Sequence, residues 1–424
     1  MRILFLSDNF PPETNAPATR LVEHARAWLR AGHSIRVVTC APNFPDGVVH
    51  AGYRNRWHAR EDVEGIEVVR VKTYIAPNRG FLRRTLDYLS FGLAGLVAGL
   101  FGPRPDVVVG TSPQFFAALG AWGVAALRHV PFVMEVRDLW PASIAAVGAL
   151  RHGRLLRALE RLELFLYRRA ASIVVLTESF RTDLVRRGVP AEKIELVRNG
   201  VDLSRYAPRE RDAALTRELG LEQGFVVGYL GTHGLAHALE NVLDAAERLR
   251  SEERVRFLFV GSGAARDGLI AEAERRGLGN VRFLPPQPKE AMPAIWSLCD
   301  VALVHLKDTP VFRTVLPSKI FEAMGMGCPI LLAAPRGEAT ELVEHEGAGL
   351  TVPAEDPDAL AAAVLQLLRD GVCRARLRRS SAAAAANWSR ERLAAEMLRV
   401  LARAAGAELG AAQAPAAERE RLAA

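Results

Sequence analysis

Short apolar segments rich in β-branched residues alternate along residues 1–200 with longer segments in which apolar residues recur every three or four positions. Short runs that are apolar on both faces are typical of buried parallel strands, and the longer periodic segments are typical of amphipathic helices. The pattern predicts a helix over Thr19–Ala31, ended by Gly32. It predicts strands at Arg2–Leu6, Ser34–Thr39, Ile66–Val71, Asp106–Gly110, Phe132–Val136 and Ser172–Leu176.

The same alternation starts again after residue 200. Strands are predicted at Gly224–Leu230, Val255–Val260, Val281–Leu284, Val301–His305 and Pro329–Ala333, and helices at Leu239–Arg250, Arg266–Arg276, Glu290–Leu298, Ser318–Met326 and Pro357–Arg369. Strand–helix alternation favours parallel sheets covered by helices on both faces. The expected fold class is therefore α/β, with two doubly wound, Rossmann-like domains that face a central cleft.

The predicted domains are residues 1–200 and 201–390, joined through the polar segment Asn199–Arg211. Residues 391–424 are set apart as a final amphipathic helix, to about Ala404, and an Ala-rich tail that is frayed or disordered. Ligands of doubly wound sheets bind at the carboxyl ends of the strands. We therefore look for candidate chemistry in the loops that follow the strands.

Composition narrows the class of protein. Half of the 424 residues are hydrophobic, which excludes a disordered chain. The net charge is +7, but residues 1–200 carry +9 and the remainder −2, so the first domain is expected to face an anionic partner. The four cysteines are far apart and fit reduced thiols. No signal peptide or membrane-spanning helix is expected, and the predicted location is cytoplasmic.

The strongest local signal is the segment Leu316–Met324. Pro317 and Ser318 are typical of a helix start, which leaves backbone N–H groups free for an anion. Lys319 has the wrong sign for the first turn of a helix, and a bound diphosphate would account for it. Glu322 lies on the same face, where its carboxylate can accept hydrogen bonds from two vicinal hydroxyls. The alternative is an ordinary capped helix with a Lys–Glu pair.

This segment resembles the C-terminal domain of retaining glycosyltransferases of family 4, which have the GT-B fold. The resemblance covers residues 1–400, and it rests on an ordered set of motifs. These are NFPPE at 9–13, APATRL at 16–21, AGHSIRVVT at 31–39, RNGVD at 198–202, GYLGT at 228–232, VGSG at 260–263 and VRFL at 281–284. The segments PNFPDG at 42–47 and RDLWP at 137–141 resemble a branch that makes bacterial surface polysaccharides and includes proteins described as L-fucosamine transferases.

The resemblance implies a nucleotide-sugar donor, most often a UDP-sugar, in the second domain. Glu322 would bind the ribose, while the Ser318 hydroxyl, the Lys319 ammonium and the backbone near Leu316 and Pro317 would hold the diphosphate. The remaining members of the implied donor site are Gly231 and Thr232 near the nucleotide and Phe283 and Leu284 around the base.

Two departures from the family pattern affect this site. Many members have a glutamate eight residues before the ribose-binding one, where this chain has Thr314, so its role could fall to Arg313, to Thr314 or to no residue. The Arg/Lys pair often found in the first helix of the second domain is also missing. His233 or His237 could substitute for it weakly, and His237 could instead make a structural hydrogen bond. Lys319 and Arg313 are better candidates because they stay charged at pH 7.

In the first domain, the expected acceptor-binding residues are Asn15, Arg20, Glu135, Arg137 and Asp138. A glutamate inside an apolar strand is costly unless it is paired or functional. Arg137 stands where many relatives have a histidine. Asp138 is a candidate for contact with the acceptor hydroxyl or for a catalytic base, with the N-cap of a following helix as the alternative. Arg137, Asp138, Lys319 and Glu322 form the predicted catalytic set.

Two further segments suggest an anionic membrane surface as a partner. Arg79, Arg83 and Arg84 precede an uninterrupted apolar run over 91–101, which is too short to span a bilayer. Arg151, Arg154, Arg157 and Arg161 recur at helical spacing among leucines. The alternatives are a buried core helix for the first segment and a solvated basic face for the second.

The sequence therefore predicts a retaining, metal-independent glycosyltransferase on the inner face of the plasma membrane. It would move a sugar from a UDP-sugar to a lipid-linked acceptor, such as a polyprenyl-diphosphate-linked sugar, during polysaccharide biosynthesis. The pair Asp356 and Asp358 is attributed to helix capping rather than to a metal. Alternatives are a UDP-sugar 2-epimerase of the same fold and a non-catalytic protein that binds membranes or nucleic acid; no nucleic-acid motif supports the last. The sequence leaves the oligomeric state open.

Overall fold

The computed structural model describes residues 1–44, 47–76, 81–112, 114–139 and 153–408. The chain forms two compact units. The first unit contains Met1–Arg198 together with the helix Arg390–Ala405, and the second contains Asn199–Ser389. Each unit is a mainly parallel sheet between helices, so the predicted α/β class with two Rossmann-like halves is confirmed.

The first unit has an eight-stranded sheet in the order β3-β4-β2-β1-β5-β6-β7-β8. All neighbours are parallel except β3 and β4. The strands are β1 (Arg2–Leu6), β2 (Ser34–Cys40), β3 (His58–Val63), β4 (Ile66–Val71), β5 (Val107–Thr111), β6 (Phe132–Val136), β7 (Ser172–Val175) and β8 (Ile194–Leu196).

Helices cover both faces of this sheet. Side chains alternate along a strand, so Ile3 and Phe5 face one layer while Leu4 and Leu6 face the other. The first layer is α1 (Ala16–Arg30) with the C-terminal helix, and the second contains α2 (Phe81–Gly99), α3 (Phe115–Arg128), α4 (Arg154–Arg169) and α5 (Glu178–Arg186).

The second unit has a six-stranded, wholly parallel sheet in the order β11-β10-β9-β12-β13-β14. Its strands are β9 (Phe225–Leu230), β10 (Val255–Val260), β11 (Val281–Leu284), β12 (Val301–His305), β13 (Ile330–Ala333) and β14 (Gly349–Val352). Its helices are α6 (Ala213–Glu218), α7 (Glu240–Arg248), α8 (Arg266–Arg275), α9 (Met292–Ser297), α10 (Lys319–Gly325), α11 (Glu338–His345), α12 (Pro357–Arg369) and α13 (Gly371–Ala385).

The final helix is α14 (Arg390–Ala405). The sequence pattern sets it apart from both predicted domains, but in the structure it belongs to the first unit. Its apolar face packs against α1, and the Trp28 indole N–H donates a hydrogen bond to the Ala394 carbonyl at 2.8 Å. Leu393, Met397 and Leu401 are buried in the same core as β1. The helix therefore completes the first unit. The predicted Ala-rich tail beyond 408 lies outside the described residues.

Six of the eleven predicted strands have the predicted ends and the other five are shifted by one residue, while β3, β8 and β14 were missed. The edge strand β3 alternates exposed and half-buried positions, so it lacks an apolar run. Strand β8 has only three residues. None of the helices in the described ranges combines the length and the apolar composition that a bilayer-spanning segment requires.

Candidate active site

The loops after β9 and β10 meet backbone to backbone at the carboxyl end of the second sheet. The Gly231 N–H donates to the Val260 carbonyl at 2.9 Å, and the His233 N–H donates to the Ser262 carbonyl at 2.8 Å. Gly261 has a φ of +142°, and a Cβ there would lie 2.0 Å from the Gly231 carbonyl oxygen. Only glycine fits this position, and the close approach fixes the course of the loop that carries Gly231.

Lys319, the first residue of α10, reaches into this loop. It is only 9% exposed, and its ammonium lies 3.6 Å from the centre of the Tyr229 ring. A Cβ on Gly231 would lie 3.2 Å from the same nitrogen. Within the described residues this ammonium has no hydrogen-bond partner. Burial lowers the pKa of Lys319 to about 7, although the carboxylate of Glu322 opposes the shift.

A buried ammonium without a hydrogen-bond partner is unusual, because desolvation of a charge is costly unless the charge is paired. The face of Tyr229 compensates only in part, since a cation–π contact replaces part of the lost hydration. The nitrogen of Lys319 can therefore gain strong hydrogen bonds from an anion that enters beside Gly231. The structure thus brings two predicted donor residues, Lys319 and Gly231, into one place.

Three histidines surround this ammonium. His233 is fully buried, and burial together with Lys319 and Arg266 lowers its pKa to about 4. His237 and His305 exchange hydrogen bonds: His237 Nδ1 lies 3.1 Å from the His305 carbonyl, and His305 Nδ1 lies 2.7 Å from the His237 carbonyl. Burial lowers the pKa of each of these two to about 4. All three rings are neutral at pH 7, so His237 has a structural hydrogen bond and supplies no positive charge.

The start of α10 differs from its prediction. Ser318 occupies the N-cap, but its backbone is already helical and its side chain makes no capping hydrogen bond. The hydroxyl of Ser318 therefore has no capping role. Pro317 and Glu322 are half-buried, and Leu316 is buried in the core.

The other predicted donor residues lie at the same edge of the sheet. The Phe283 ring stacks on Phe259 with 4.8 Å between ring centres, and Leu284 packs against the core on the opposite face. Thr232 is exposed, and its carbonyl accepts a hydrogen bond from the Tyr229 hydroxyl at 2.8 Å. The site therefore has an aromatic wall as well as the buried ammonium.

Arg313 and Thr314 lie in a 3-10 turn, Pro310–Thr314, just before this segment. The side chain of Arg313 is exposed, while the Thr314 hydroxyl donates to the Val311 carbonyl at 2.9 Å. The Thr314 hydroxyl therefore donates its hydrogen bond within its own turn. Of the two candidates for the role of the missing glutamate, Arg313 has the more exposed side chain.

In the first unit, two expected acceptor-binding residues are paired with each other. Arg20 of α1 and Glu135 of β6 form an ion pair at 2.7 Å, and their side chains are 1% and 5% exposed. Arg20 also donates to the carbonyls of Val197 and Arg198. Burial alone would raise the pKa of Glu135, but Arg20 and Arg137 hold it below its usual value. The pair joins α1 to β6 inside the protein, and direct contact of either residue with an acceptor stays a prediction.

Asn15 has a structural role in the fold, and its expected contact with the acceptor stays a prediction. It is the N-cap of α1, where its side-chain oxygen accepts a hydrogen bond from the Ala18 N–H at 3.1 Å. Its side-chain amide donates to the side chain of Asn9. Both polar ends of the Asn15 side chain are therefore satisfied within the loop that precedes α1.

Arg137 and Asp138 remain candidates for the acceptor side. They follow β6 directly, and both backbone N–H groups donate to the Ser112 hydroxyl, at 2.8 and 3.2 Å. Arg137 is half-buried and Asp138 is exposed. Burial lowers the pKa of Arg137 to about 10, so it stays charged at pH 7. Any helix that Asp138 would cap lies outside the described residues.

The acidic pair in the second unit has an ordinary explanation. Asp356 caps α12 by accepting hydrogen bonds from the N–H groups of Asp358 and Ala359 at 3.1 and 2.9 Å. Asp358 pairs with Arg248. In the part of the chain that the structure describes, no three His, Cys, Asp or Glu side chains are grouped so as to hold a metal ion. Independence from metal stays a prediction.

Sequence reasoning missed Tyr229, the residue that holds the ammonium of Lys319. Tyr229 lies in an apolar strand, where an aromatic residue is expected to be core. The sequence did offer one signal. A buried Tyr hydroxyl needs a polar partner, so a tyrosine near the end of a strand and next to a glycine loop indicates a contact with that loop.

Comparison with known proteins agrees with this architecture. A family model described as "Glycosyl transferase 4-like domain" matches residues 15–200, and one described as "Glycosyl transferases group 1" matches residues 224–370. The chain is 29% identical to the "Putative colanic acid biosynthesis glycosyl transferase WcaI" of Escherichia coli (strain K12), over 87% of this chain and 92% of that protein.

Two further relatives are informative. A "GDP-mannose-dependent alpha-mannosyltransferase" of Mycobacterium tuberculosis (strain CDC 1551 / Oshkosh) is 27% identical over 85% of this chain and 87% of its own length. The fold matches the crystal structure of Anabaena Alr3699/HepE in complex with UDP and glucose, with a TM-score of 0.70 and 20% identity over 95% of this chain and 99% of that chain. The fold and the matched domains define a glycosyltransferase with the GT-B fold. Within that class, the chain belongs to family 4.

Proposed function

We propose that the enzyme transfers a sugar, with retention of configuration, from a UDP-sugar to a lipid-linked acceptor in cell-surface polysaccharide biosynthesis. The observation that carries the donor part is the buried ammonium of Lys319, which has no hydrogen-bond partner among the described residues. A diphosphate beside Gly231 would supply the missing partner and would justify the cost of burying this charge.

In the proposed mechanism the protein stabilises the leaving group electrostatically. Lys319 would hydrogen-bond the diphosphate oxygens, and its charge would matter most as the bond to the sugar breaks and negative charge develops there. Glu322, one turn further along α10, would accept hydrogen bonds from the ribose hydroxyls. Because the protein itself supplies positive charge, no metal ion is required by this scheme.

The acceptor would be bound by the first unit. Exposed Asp138 at the end of β6 would accept a hydrogen bond from the attacking hydroxyl, and Arg137 would provide a permanent charge next to it. The buried pair of Arg20 and Glu135 would act indirectly, by fixing strand β6, which Arg137 and Asp138 follow. Arg20 and Glu135 are thus positioning residues in this proposal.

Polysaccharide biosynthesis is supported by the relative WcaI, whose name refers to colanic acid. UDP as the nucleotide is supported by the complex of HepE, which has the same fold. The mannosyltransferase of Mycobacterium tuberculosis is named for GDP-mannose, so a GDP-sugar is the second candidate donor. A lipid-linked acceptor fits the basic first unit, which would work at an anionic membrane surface.

The test is calorimetric titration of the full chain with UDP, GDP, ADP and NAD in the presence of EDTA. We expect UDP to bind selectively. Lys319→Met should weaken UDP binding at least tenfold, and Glu322→Ala should weaken UDP more than it weakens inorganic diphosphate. Lys307→Met, which alters an exposed lysine of the same unit, is the matched control and should bind UDP normally.

Three results would contradict parts of the proposal. Preferential binding of GDP would show that the donor is a GDP-sugar rather than a UDP-sugar. A requirement for a divalent cation would remove the metal-free mechanism. Unchanged UDP binding by Lys319→Met would remove the site assignment altogether.

A further inference from the structure

A groove of about 750 Å³ opens on the first unit beside the carboxyl end of β4. It is bordered by α2, by the end of β4 and by the residues that lead into the edge strand β3. Most of its lining is apolar, including Trp57, Leu93, Val97 and Phe101. Trp57 is 81% exposed, so a large aromatic ring stands in water at the rim.

Helix α2 explains why this surface is apolar. One face of the helix is core: Phe91 is buried, and a Cβ on Gly92 would lie 2.6 Å from the Phe116 carbonyl of α3. The opposite face is also apolar, and its side chains are exposed. Its exposed residues are Leu86, Leu89, Leu93 and Val97, followed by Phe101 beyond the helix end. They recur every three or four positions and form one continuous stripe.

The helical layer that carries this stripe is strongly basic. Helices α2, α3 and α4 contain eight arginines and three acidic residues. The acidic residues are largely occupied: Glu163 is buried and pairs with Arg187, and the Asp87 carboxylate accepts a hydrogen bond from the Ala76 N–H. In α4, Leu159 and Leu162 pack against the core, while Arg157, Arg161, Arg168 and Arg169 are exposed.

The rim of the groove also combines an apolar side chain with a basic one. The ammonium of Lys72 lies 4.7 Å from the centre of the Trp57 ring. A lysine can keep its charge in a polar layer while its stem lies along apolar surface, and tryptophan favours the same boundary between apolar and polar surroundings. A protein partner would have to match this apolar stripe and also neutralise the arginines of the same helical layer.

We propose that this face of the first unit docks on an anionic lipid bilayer, with the α2 stripe and Trp57 inserted among the lipid chains and the arginines on the lipid phosphates. The inference rests on the proposed function, because a lipid-linked acceptor is reached at that surface. Exposed apolar residues beside basic ones are the features that hold a protein in the interfacial layer. A second copy of the chain fits less well, since a symmetric pairing would bring the same arginines together.

The test uses the full chain and vesicles of phosphatidylcholine, either alone or with phosphatidylglycerol. We expect co-sedimentation only with the anionic vesicles. The double variant Leu93→Asp/Val97→Asp should bind them at least tenfold more weakly, because both side chains are already exposed and the change should leave folding intact. Val372→Asp, which alters an 83% exposed valine of the second unit, is the matched control and should bind as the wild type does.

UDP titration of the same variants separates this inference from the proposed function. Normal UDP binding without any anionic vesicle binding would overturn the docking proposal and leave the donor site intact. Vesicle binding without UDP binding would do the reverse. Equal binding to neutral vesicles would contradict the role of the arginines. A wild-type dimer that Leu93→Asp/Val97→Asp dissociates, with no vesicle binding, would assign the stripe to a second copy of the chain.

Discussion

The ammonium of Lys319 lies 3.6 Å from the centre of the Tyr229 ring, so a buried positive charge rests on the face of a buried aromatic side chain. The contact joins the start of α10 to the end of β9, two elements separated by about 90 residues of chain. Tyr229 also holds the loop, since its hydroxyl donates to the Thr232 carbonyl. One aromatic residue therefore supports both the charge and the glycine loop beside it.

The first prediction concerns the pH dependence of UDP binding. Because the pKa of Lys319 is about 7, the free protein loses this charge as the pH rises above 7. A bound diphosphate favours the protonated form, so UDP affinity should fall above pH 7 by at most about tenfold per pH unit. Calorimetry between pH 7 and 9 measures the slope. Lys319→Arg keeps its charge over this range, and a slope in that variant as steep as in the wild type would contradict the assignment.

The second prediction concerns stability. Lys319→Met replaces a buried charge by an apolar side chain of similar length, which should raise the free energy of unfolding at pH 6 by roughly 1–4 kcal/mol. The folded-state pKa of Lys319 lies below the unfolded value, so the unfolded state binds more protons between pH 7 and 10.5. Wild-type stability should therefore rise through that window relative to the variant.

Urea denaturation at pH 6 and pH 9 tests this expectation. A constant difference between wild type and Lys319→Met at the two pH values would show that Lys319 does not change its protonation state on unfolding.

The third prediction concerns the buried pair of Arg20 and Glu135. Removing one partner takes the nearest opposite charge away from a buried ion, so Arg20→Met and Glu135→Gln should each cost about 3–5 kcal/mol of unfolding free energy. The double variant should be less destabilised than the sum of the single ones, because neither charge is then stranded. A double-mutant cycle by urea denaturation measures the coupling, and additive losses would show that the two side chains act independently.

The fourth prediction concerns the contact between the two loops of the second unit. Gly261→Ala would place a Cβ 2.0 Å from the Gly231 carbonyl, at a φ that alanine rarely adopts. The variant should lose more than about 1 kcal/mol of stability and should bind UDP more weakly. Gly268→Ala, a helical position with no atom within 4 Å of the added Cβ, is the control and should gain about 0.5–1 kcal/mol. Normal UDP binding by Gly261→Ala would separate this loop from the donor site.

Much of the fold could be predicted because buried parallel strands are recorded locally, as apolar runs. The strands β1, β4 and β10 appear in the sequence with their full length. The edge strand β3 could not be found this way, because only its pairing with β4 and not its burial makes it a strand. Helix α14 was recognised as a helix, but no local pattern reveals that its apolar face belongs to the core of the first unit.

Individual residues of the site could be predicted, but their contacts could not, because a local pattern does not show which distant elements meet. Lys319 could be identified because its charge opposes the helix dipole at a position that is visible in the local sequence. Tyr229 could not, since the contact depends on where two distant elements meet. Glu135 was recognised as a charge that needs a partner, yet the partner, Arg20, lies 115 residues earlier in the chain. Sequence reasoning therefore located these charges without locating their counterparts.

The return of α14 to the first unit makes the second unit an insertion within the first. The chain leaves after Arg198 and comes back at Arg390, and the two passages lie side by side where the Val201 N–H donates to the Trp388 carbonyl at 2.9 Å. Residues 199–389 are thus one uninterrupted piece of the chain. The first unit consists of two separate pieces of chain. A gene cut at residue 198 would remove α14 and leave the apolar face of α1 uncovered. A short linker from Arg198 to Arg390 would restore this cover.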